Sequence, residues 1–482
     1  MTWWTALTMF ELGWVVVVAV TIILERRSPV ATFAWISVLA WLPFVGLAVY
    51  YFFGPRRLRR RKMRLQASGK RIARAARAFD EALDDPRWSG LARTAMSLGE
   101  APPLAAGPIE LITDGDVLFD SMEQAIDDAK EHVHLEFYIF DGDEIGTRMR
   151  EALIRAVKRK VEVRLLVDGI GSVSLKRAFL RPLEEAGGLV AFFNPVSGFR
   201  LRSANFRTHR KILVCDGRVG FVGGMNITRH HSARCCKDAA WRDTHLRFEG
   251  PAVAALQRVF LPGWYFASGI YEEDDAGRFF ANAFKPSAQT DANNGTKAPT
   301  DSLLQVVSSG PDKDIFAIHH LFFGAISQAQ ERVWLTTPYF VPDESTLAAL
   351  IGAGLRKVDV RILVPASSDN RLADMAARSY FPELARAGVK ISEYTPHMLH
   401  AKTLVIDNEL AVIGTANFDN RSFRLNFEVV VAAFCQRTNA ELAQAFEADL
   451  TQAIPVRARE IREKPLLERF GESCARLLSP LL

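Results

Sequence analysis

"HRKILVCDGRVGFVGGMN", residues 209–226, sets a histidine and a lysine two positions apart, runs on to an Asp-Gly pair, and returns through a second apolar run to an asparagine. Nearly the same wording recurs at residues 400–417, "HAKTLVIDNELAVIGTAN". His400, Lys402, Asp407, Gly414 and Asn417 stand at the offsets of His209, Lys211, Asp216, Gly223 and Asn226. A lone His-x-Lys pattern is too short to carry meaning, but five residue types repeated at identical offsets are a specific signal.

The runs read as strands, in which residues two apart share a face. His209 and Lys211 therefore project together, as do His400 and Lys402, while Arg210 and Ala401 point away. Asp216-Gly217 and Asp407-Asn408 are hairpin signals. The return strands bring Asn226 and Asn417 back beside the His-Lys ends. Gly223 and Gly224 are expected to let backbone approach a ligand closely, and Thr415 offers a hydroxyl at the matching place in the second copy. Imidazole, ammonium and carboxamide converging on one spot suit an anionic tetrahedral group. The histidine adds a nucleophile or proton donor that titrates near neutrality. Two such units facing one phosphorus would let one imidazole attack while the other protonates the departing oxygen. By parity, Asp216 and Asp407 face away from the histidines, so they are expected to hold the turns within the motif.

Around each copy the chain repeats a plan of alternating strands and helices, the α/β signature. "HVHLEFYIF", "EIGTRMREALIRAVKRK" and "VEVRLLVDG" precede the first; "ERVWLTTPYFV", "ESTLAALIGAGLRK" and "VDVRILVPA" precede the second. Two α/β domains packed with pseudo-two-fold symmetry are expected, over residues 107–270 and 303–482. The polar stretch 271–302 reads as a linker or mobile loop, and residues 65–106 as a helical connector from the N-terminus to the first half.

At 482 residues the chain is long enough for several domains, and its composition, 49% apolar and 24% charged, is that of a folded protein. The net charge of +5 is modest, but the run Arg56–Arg64, "RRLRRRKMR", is dense. It follows Val30–Phe53, an uncharged run long enough to cross a bilayer as a helix. Leu12–Leu24 reaches spanning length only by including Trp3–Phe10 and tolerating Glu11. Residues 1–64 are thus expected to be a transmembrane helical hairpin, with a cleaved signal peptide as the alternative. The basic flank places the remainder on the cytoplasmic side and suits anionic lipid better than nucleic acid. Five irregularly spaced cysteines fit a reducing compartment rather than a disulfide framework. No phosphate-binding Gly-rich loop of the G-x-x-x-x-G-K-[ST] type occurs, so nucleotide use is not indicated.

The paired stretches match His-x-Lys-(x4)-Asp-(x6)-Gly-x-x-Asn, the motif of the phospholipase D superfamily. With "WRDTHLRFEGPAV", "GTANFDNRSFRLNFEV", "QVVSSGPD" and the apolar N-terminal run, nearly the whole chain resembles bacterial cardiolipin synthases. The resemblance implies an inner-membrane phosphatidyltransferase that joins two phosphatidylglycerols through a phosphohistidine and releases glycerol, without cofactor or metal. It implies His209 as nucleophile and His400 as general acid and then base. Lys211, Lys402, Asn226 and Asn417 would bind phosphate oxygens, and Asp243 and Glu428 would orient the histidines. Its partners would be phospholipids, phosphatidylethanolamine being an alternative acceptor, and the bilayer. No nucleic acid is implied, and a homo-oligomer is left open. A phospholipase D using water or another alcohol shares the same intermediate. A nuclease of the superfamily and an inactive lipid-binding protein are the further alternatives. The segment Thr228–Trp241, "TRHHSARCCKDAAW", departs from the family's wording. It holds metal-ligand residue types at a spacing that fits no closed site, and is expected to be a mobile rim loop.

Overall fold

The computed structural model describes residues 3–24, 29–42, 86–195, 206–270, 272, 275–280, 302–313, 315–457, 459 and 463–481. The N-terminal residues form one compact unit and the rest of the described chain a second. In the first unit, helices Trp3–Leu24 and Pro29–Trp41 pack together, with Ile22 and Leu39 buried. Val16, Val17, Val20, Ile23, Leu24, Phe33 and Trp41 are exposed. Among the described residues no helix is long and apolar enough to cross a membrane. The expected second span runs beyond Leu42 into residues outside the described set, as does the basic run.

The second unit is built on two mixed sheets. The first takes its strands in the order β2 (Ile109–Ile112), β8 (His245–Glu249), β7 (Val219–Gly223), β6 (Lys211–Cys215), β3 (His132–Phe137), β4 (Glu162–Asp168) and β5 (Leu189–Phe193). The second runs β1 (Leu104–Ala105), β9 (Leu303–Ser309), β17 (Glu428–Phe434), β15 (Leu410–Gly414), β14 (Thr403–Ile406), β10 (Arg332–Thr336), β12 (Asp359–Pro365), β13 (Lys390–Tyr394) and β18 (Ala453–Pro455). Strands β9 to β13 of that series repeat the first sheet's order, partner for partner, with parallel pairs at one end and antiparallel hairpins at the other.

The sheets share one apolar core. Ile212, Val214, Val222, Leu246 and Phe248 from the first sheet pack with Val306, Val405, Ile413, Val429 and Val431 from the second. Strands covered on both faces have little use for alternation, so "KILVC" and "TLVI" are buried at every position. Helices on the outer faces start alike. Asp143 caps Glu144–Lys158 by accepting from the Gly146 N–H, and Asp343 caps Glu344–Leu355 by accepting from Thr346.

The hairpin loops are three residues long, since Cys215 pairs with Val219 and Ile406 with Leu410. Asp216 and Asp407 sit at φ 54° and 46°, in the left-handed region. Their carboxylates offset the cost. Asp216 accepts from the backbone N–H groups of Lys130, Glu131 and His132 at 2.8–2.9 Å. Asp407 does the same for Gln330, Glu331 and Arg332 at 2.8–3.1 Å. Each aspartate thus ties its hairpin to the neighbouring β3 or β10 strand.

Two segments are described in part, and the described parts pack on the domains. The described part of the connector packs on the second half. Helix Pro86–Ser97 joins that half's core through Trp88, Leu91, Ala92 and Ala95, Arg87 pairs with Asp407 at 2.9 Å, and β1 extends the second sheet. The polar stretch after the first half begins as anchored structure. Asp275 is buried, accepts from buried Arg164 at 2.8 Å and from the Tyr265 hydroxyl at 2.8 Å, and Phe279 follows it into the interior. Residues 281–301 of that stretch lie outside the described set.

Candidate active site

His209 and His400 lie just ahead of β6 and β14, where the two halves exchange backbone hydrogen bonds. The His209 N–H donates to the Phe427 carbonyl at 2.9 Å, and Phe427 N–H to Arg207 at 2.8 Å. In mirror fashion, His400 N–H donates to Arg242 at 2.7 Å and Arg242 N–H to Met398 at 2.9 Å. Phe427 and Arg242 immediately precede Glu428 and Asp243. The consequence is a reciprocal exchange of carboxylates between halves. His209 Nδ1 lies 3.0 Å from Glu428 of the second half. His400 Nδ1 lies 2.6 Å from Oδ2 of Asp243 in the first half. A carboxylate on Nδ1 fixes the tautomer and leaves Nε2 as the reactive atom.

Each carboxylate is held in turn. Thr415 Oγ1 donates to Glu428 at 2.5 Å, and Asn426 Nδ2 at 3.3 Å. On the other side Gly224 provides room instead: a Cβ there would meet Asp243 Oδ1 at 2.1 Å. A Cβ at Gly223 would meet the β8 backbone at His245 at 2.5 Å. The expectation that these glycines admit a ligand is therefore corrected. The space above them is filled by the neighbouring strand and by the carboxylate that orients His400.

Both lysines are buried, and each ammonium donates to the carbonyl of its own histidine, Lys211 to His209 at 2.7 Å and Lys402 to His400. Burial pushes Lys211 down to about 7 against the pull of Glu428, and pushes Lys402 to about 8 against the pull of Asp243. Burial also lowers His209 to about 4, opposed by Glu428 and helped by the Lys211 charge. His400 is held well below its ordinary value by burial and by the charges of Lys402, Lys211 and His209. The two histidines thus sit within reach of each other's charge and of both ammonium groups. Burial alone would raise Glu428, but His209, Lys211 and Thr415 outweigh it and keep the carboxyl low. The site is a buried centre in which two lysines, two carboxylates and two neutral imidazoles lie within reach of one another's charge.

Asn226 and Asn417 are both buried. Asn226 Oδ1 accepts from Ile139 N–H at 3.2 Å, whereas Asn417 Oδ1 has no hydrogen-bond partner among the described residues. Asp216 and Asp407 are spent on backbone N–H groups at the far ends of the strands.

Several neighbours of the centre carry no signal in the repeated wording. Tyr138 packs edge-on against the His209 ring at 4.8 Å, under Lys211, and its hydroxyl accepts from Arg207 at 3.1 Å. Trp241 and His231 stand 5.3 and 5.8 Å from the His400 ring. The Thr228–Trp241 segment folds into short helical turns, with His230 stacked on Trp241 at 5.2 Å and Ser232 and Arg234 bonded to Asp116. The exchange of Asp243 and Glu428 between halves is also absent from the sequence, because both follow their own motif along the chain.

The comparisons with known proteins agree with this geometry. The family described as "Cardiolipin synthase, PLD-like domain" matches residues 122–259 and 322–450, and the one described as "Phospholipase_D-nuclease N-terminal" matches residues 13–55. Cardiolipin synthase 1 of Bacillus anthracis is 37% identical over 476 residues, covering 97% of this chain and 92% of that one. The cardiolipin synthase of Geobacillus sp. (strain WCH70) is 38% identical over 476 residues with the same coverage. Among solved structures, the phosphatidylserine synthase of Haemophilus influenzae Rd KW20 shares the fold, with a TM-score of 0.58 at 14% identity over 82% of this chain and 100% of that one. The chain belongs to the bacterial cardiolipin synthase family of the phospholipase D superfamily.

Proposed function

We propose that this protein is a phosphatidyltransferase that makes cardiolipin from two phosphatidylglycerols. The observation that carries the reading is the reciprocal centre itself, in which each histidine is held through Nδ1 by a carboxylate of the other half and backed by a buried lysine. Such an arrangement leaves two Nε2 atoms for one phosphorus. The reciprocal pairing and the shared strand order support a pseudo-two-fold relation between residues 107–270 and 303–482.

In the first step His209 Nε2 attacks the phosphodiester of one phosphatidylglycerol. His400 takes up a proton on Nε2 from solvent as the anionic phosphodiester enters; the P–N bond then forms as the P–O bond to the glycerol headgroup breaks, and His400 gives that proton to the departing oxygen. In the second step the hydroxyl of another phosphatidylglycerol gives its proton to His400 and attacks the phosphohistidine, and the P–N bond breaks. One phosphodiester is exchanged for another, so no external energy source is needed. Lys211 and Lys402 offset the charge on the phosphate oxygens, and Asn226 and Asn417 present carboxamides to them. The arriving phosphate anion draws the two ammonium groups back toward full protonation. The carboxylates of Glu428 and Asp243 stabilise each imidazolium as it forms.

A membrane location is part of the proposal. Helix Trp3–Leu24 packs on Pro29–Trp41 and leaves a row of apolar side chains exposed. Its exposed valines and isoleucine favour lipid over water. With the uncharged run to Phe53 and the basic flank after it, the N-terminus is read as a two-span anchor, with the catalytic halves on the cytoplasmic face of the inner membrane. Confinement to one surface raises the effective concentration of both lipid substrates.

Product analysis tests the reading. Purified full-length protein given headgroup-labelled and acyl-labelled phosphatidylglycerol is expected to release labelled glycerol and form cardiolipin in equal amounts. Phosphatidic acid as the sole lipid product would replace this reading with a hydrolytic phospholipase D.

A further inference from the structure

His231 is buried, 2% exposed, and neither ring nitrogen has a hydrogen-bond partner among the described residues. Buried polar atoms in native proteins are nearly always satisfied, and an exception calls for a cause such as an ion. The ring is fixed edge-on to Trp241 at 5.5 Å and tilted toward His400 at 5.8 Å. One ligand atom each from His231, Asp243 and His400 falls within 4.8 Å of the other two. Two imidazole nitrogens and a carboxylate oxygen are a donor set that zinc accepts, with a fourth position left for water or a phosphate oxygen. Burial also keeps His231 neutral at physiological pH, with a lone pair available.

We propose that His231, Asp243 and His400 form an inhibitory site for a divalent transition-metal ion of the zinc class. His400 Nδ1 and Asp243 Oδ2 share one proton across 2.6 Å. The ion takes its place, so metal–nitrogen and metal–oxygen bonds form and the proton moves to Nε2 of His400, where the neutral metal-bound imidazole holds it. Metal–ligand bonds of about 2.1 Å hold tetrahedral donors about 3.4 Å apart, so His231 moves inward by about 1 Å. His400 then loses the carboxylate that orients it and lies beside a dication that opposes its protonation. It can neither donate nor accept the proton of transfer. His231 supplies the ligand that makes capture specific, since the other two residues are otherwise bonded to each other.

The loss of activity rests on the role of His400 in the proposed reaction; the binding does not. The two are separated by using cobalt(II) as a spectroscopic probe alongside zinc. Wild-type full-length protein in detergent is expected to take up one equivalent of cobalt with the visible absorption of a tetrahedral site, displaced by zinc. Buffered zinc is expected to stop glycerol release from phosphatidylglycerol, and a chelator to restore it. His231→Phe keeps the ring and its contact with Trp241 but removes the ligand. It is expected to turn over normally, to give no tetrahedral cobalt band, and to need about 10–100-fold more zinc for the same inhibition, at least what losing an outer-shell partner costs a metal site. His231→Tyr serves as the second variant, with the same expectation. A wild-type protein without the band, or variants that bind cobalt and respond to zinc as the wild type does, would overturn the site. A wild-type band in a protein that never releases glycerol would instead overturn the proposed reaction and leave the site standing.

Discussion

Replacing Glu428 by glutamine removes one charge from a fully buried position and leaves the shape of the side chain intact. Glu428 lies 3.0 Å from His209 Nδ1, and among the described residues no other acid is bonded to that ring. When His209 becomes positively charged as it attacks, the carboxylate stands about 4 Å from the centre of that charge, worth about 4 kcal/mol at an effective dielectric near 20. That is about a thousandfold in rate. E428Q should therefore lose about three orders of magnitude in kcat with little change in KM, since the charge acts in the transition state and not on the resting substrate. D243N should lose a comparable amount by a different route, through its hold on His400. A substrate with p-nitrophenol in place of glycerol separates them, because its leaving group departs without a proton. General acid help is worth about 10²–10⁴-fold, so D243N should recover most of its loss in the p-nitrophenol burst, while E428Q should not. The burst is read at 400 nm or so with about one equivalent per active site as the scale. Recovery of E428Q but not D243N would reverse the roles of the two histidines. E428Q turning over glycerol within about tenfold of wild type would refute the electrostatic reasoning altogether.

Three further outcomes follow from named contacts. Asp216→Asn weakens the acceptor for three backbone N–H groups remote from the chemistry, so it should cost about 1–3 kcal/mol of stability, seen as a lower melting midpoint, while turnover per folded molecule is retained. Gly224→Ala puts a Cβ 2.1 Å from Asp243 Oδ1, so it should reproduce the D243N defect on the natural substrate and its recovery with p-nitrophenol; wild-type activity would show that the carboxylate needs no such space. Burial holds Lys211 at about 7 in the folded protein against 10.5 when exposed. The unfolded chain binds that proton more tightly, so its contribution to stability rises with pH from about 7 to about 10.5 and is smallest below 7. The melting midpoint of the ligand-free protein should climb over that window, and Lys211→Met should flatten the climb while abolishing turnover; an unchanged pH dependence in the variant would contradict the burial-driven shift.

Much of the fold is legible in the wording of the chain. The repeated strand-turn-strand units, the helices after Asp143 and Asp343, and the turn-holding role that parity gives Asp216 and Asp407 are all local matters, set by alternation, capping and turn chemistry. What joins the halves is not local. Asp243 and Glu428 each follow the motif of their own half, yet each serves the histidine of the other, because the bridges Thr208–Phe427 and Arg242–Leu399 cross between the halves. Nothing within a single repeat encodes that exchange. Gly223 and Gly224 mislead for a related reason: a glycine signals close approach, but not of what, and here a strand and a carboxylate arrive where a ligand was expected. The connector docks on the second half through Trp88 and Arg87, a tertiary contact that an Ala- and Arg-rich helical pattern does not specify. His231 is the reverse case, an off-pattern residue in the sequence that burial turns into a feature of the site.

The central claim is that the two imidazoles act in different roles on one phosphorus atom. Trapping the covalent intermediate tests it most directly. Phosphatidylglycerol is mixed with wild type, His400→Ala and His209→Ala, the reaction is stopped with alkali in which phosphohistidine survives, and histidine-containing peptides are mapped by mass spectrometry. The account predicts a phosphatidyl adduct on the His209 peptide in the wild type, none in His209→Ala, and an adduct in His400→Ala only with the p-nitrophenol substrate. An adduct on any residue other than His209, or undiminished cardiolipin formation by either alanine variant, would contradict it.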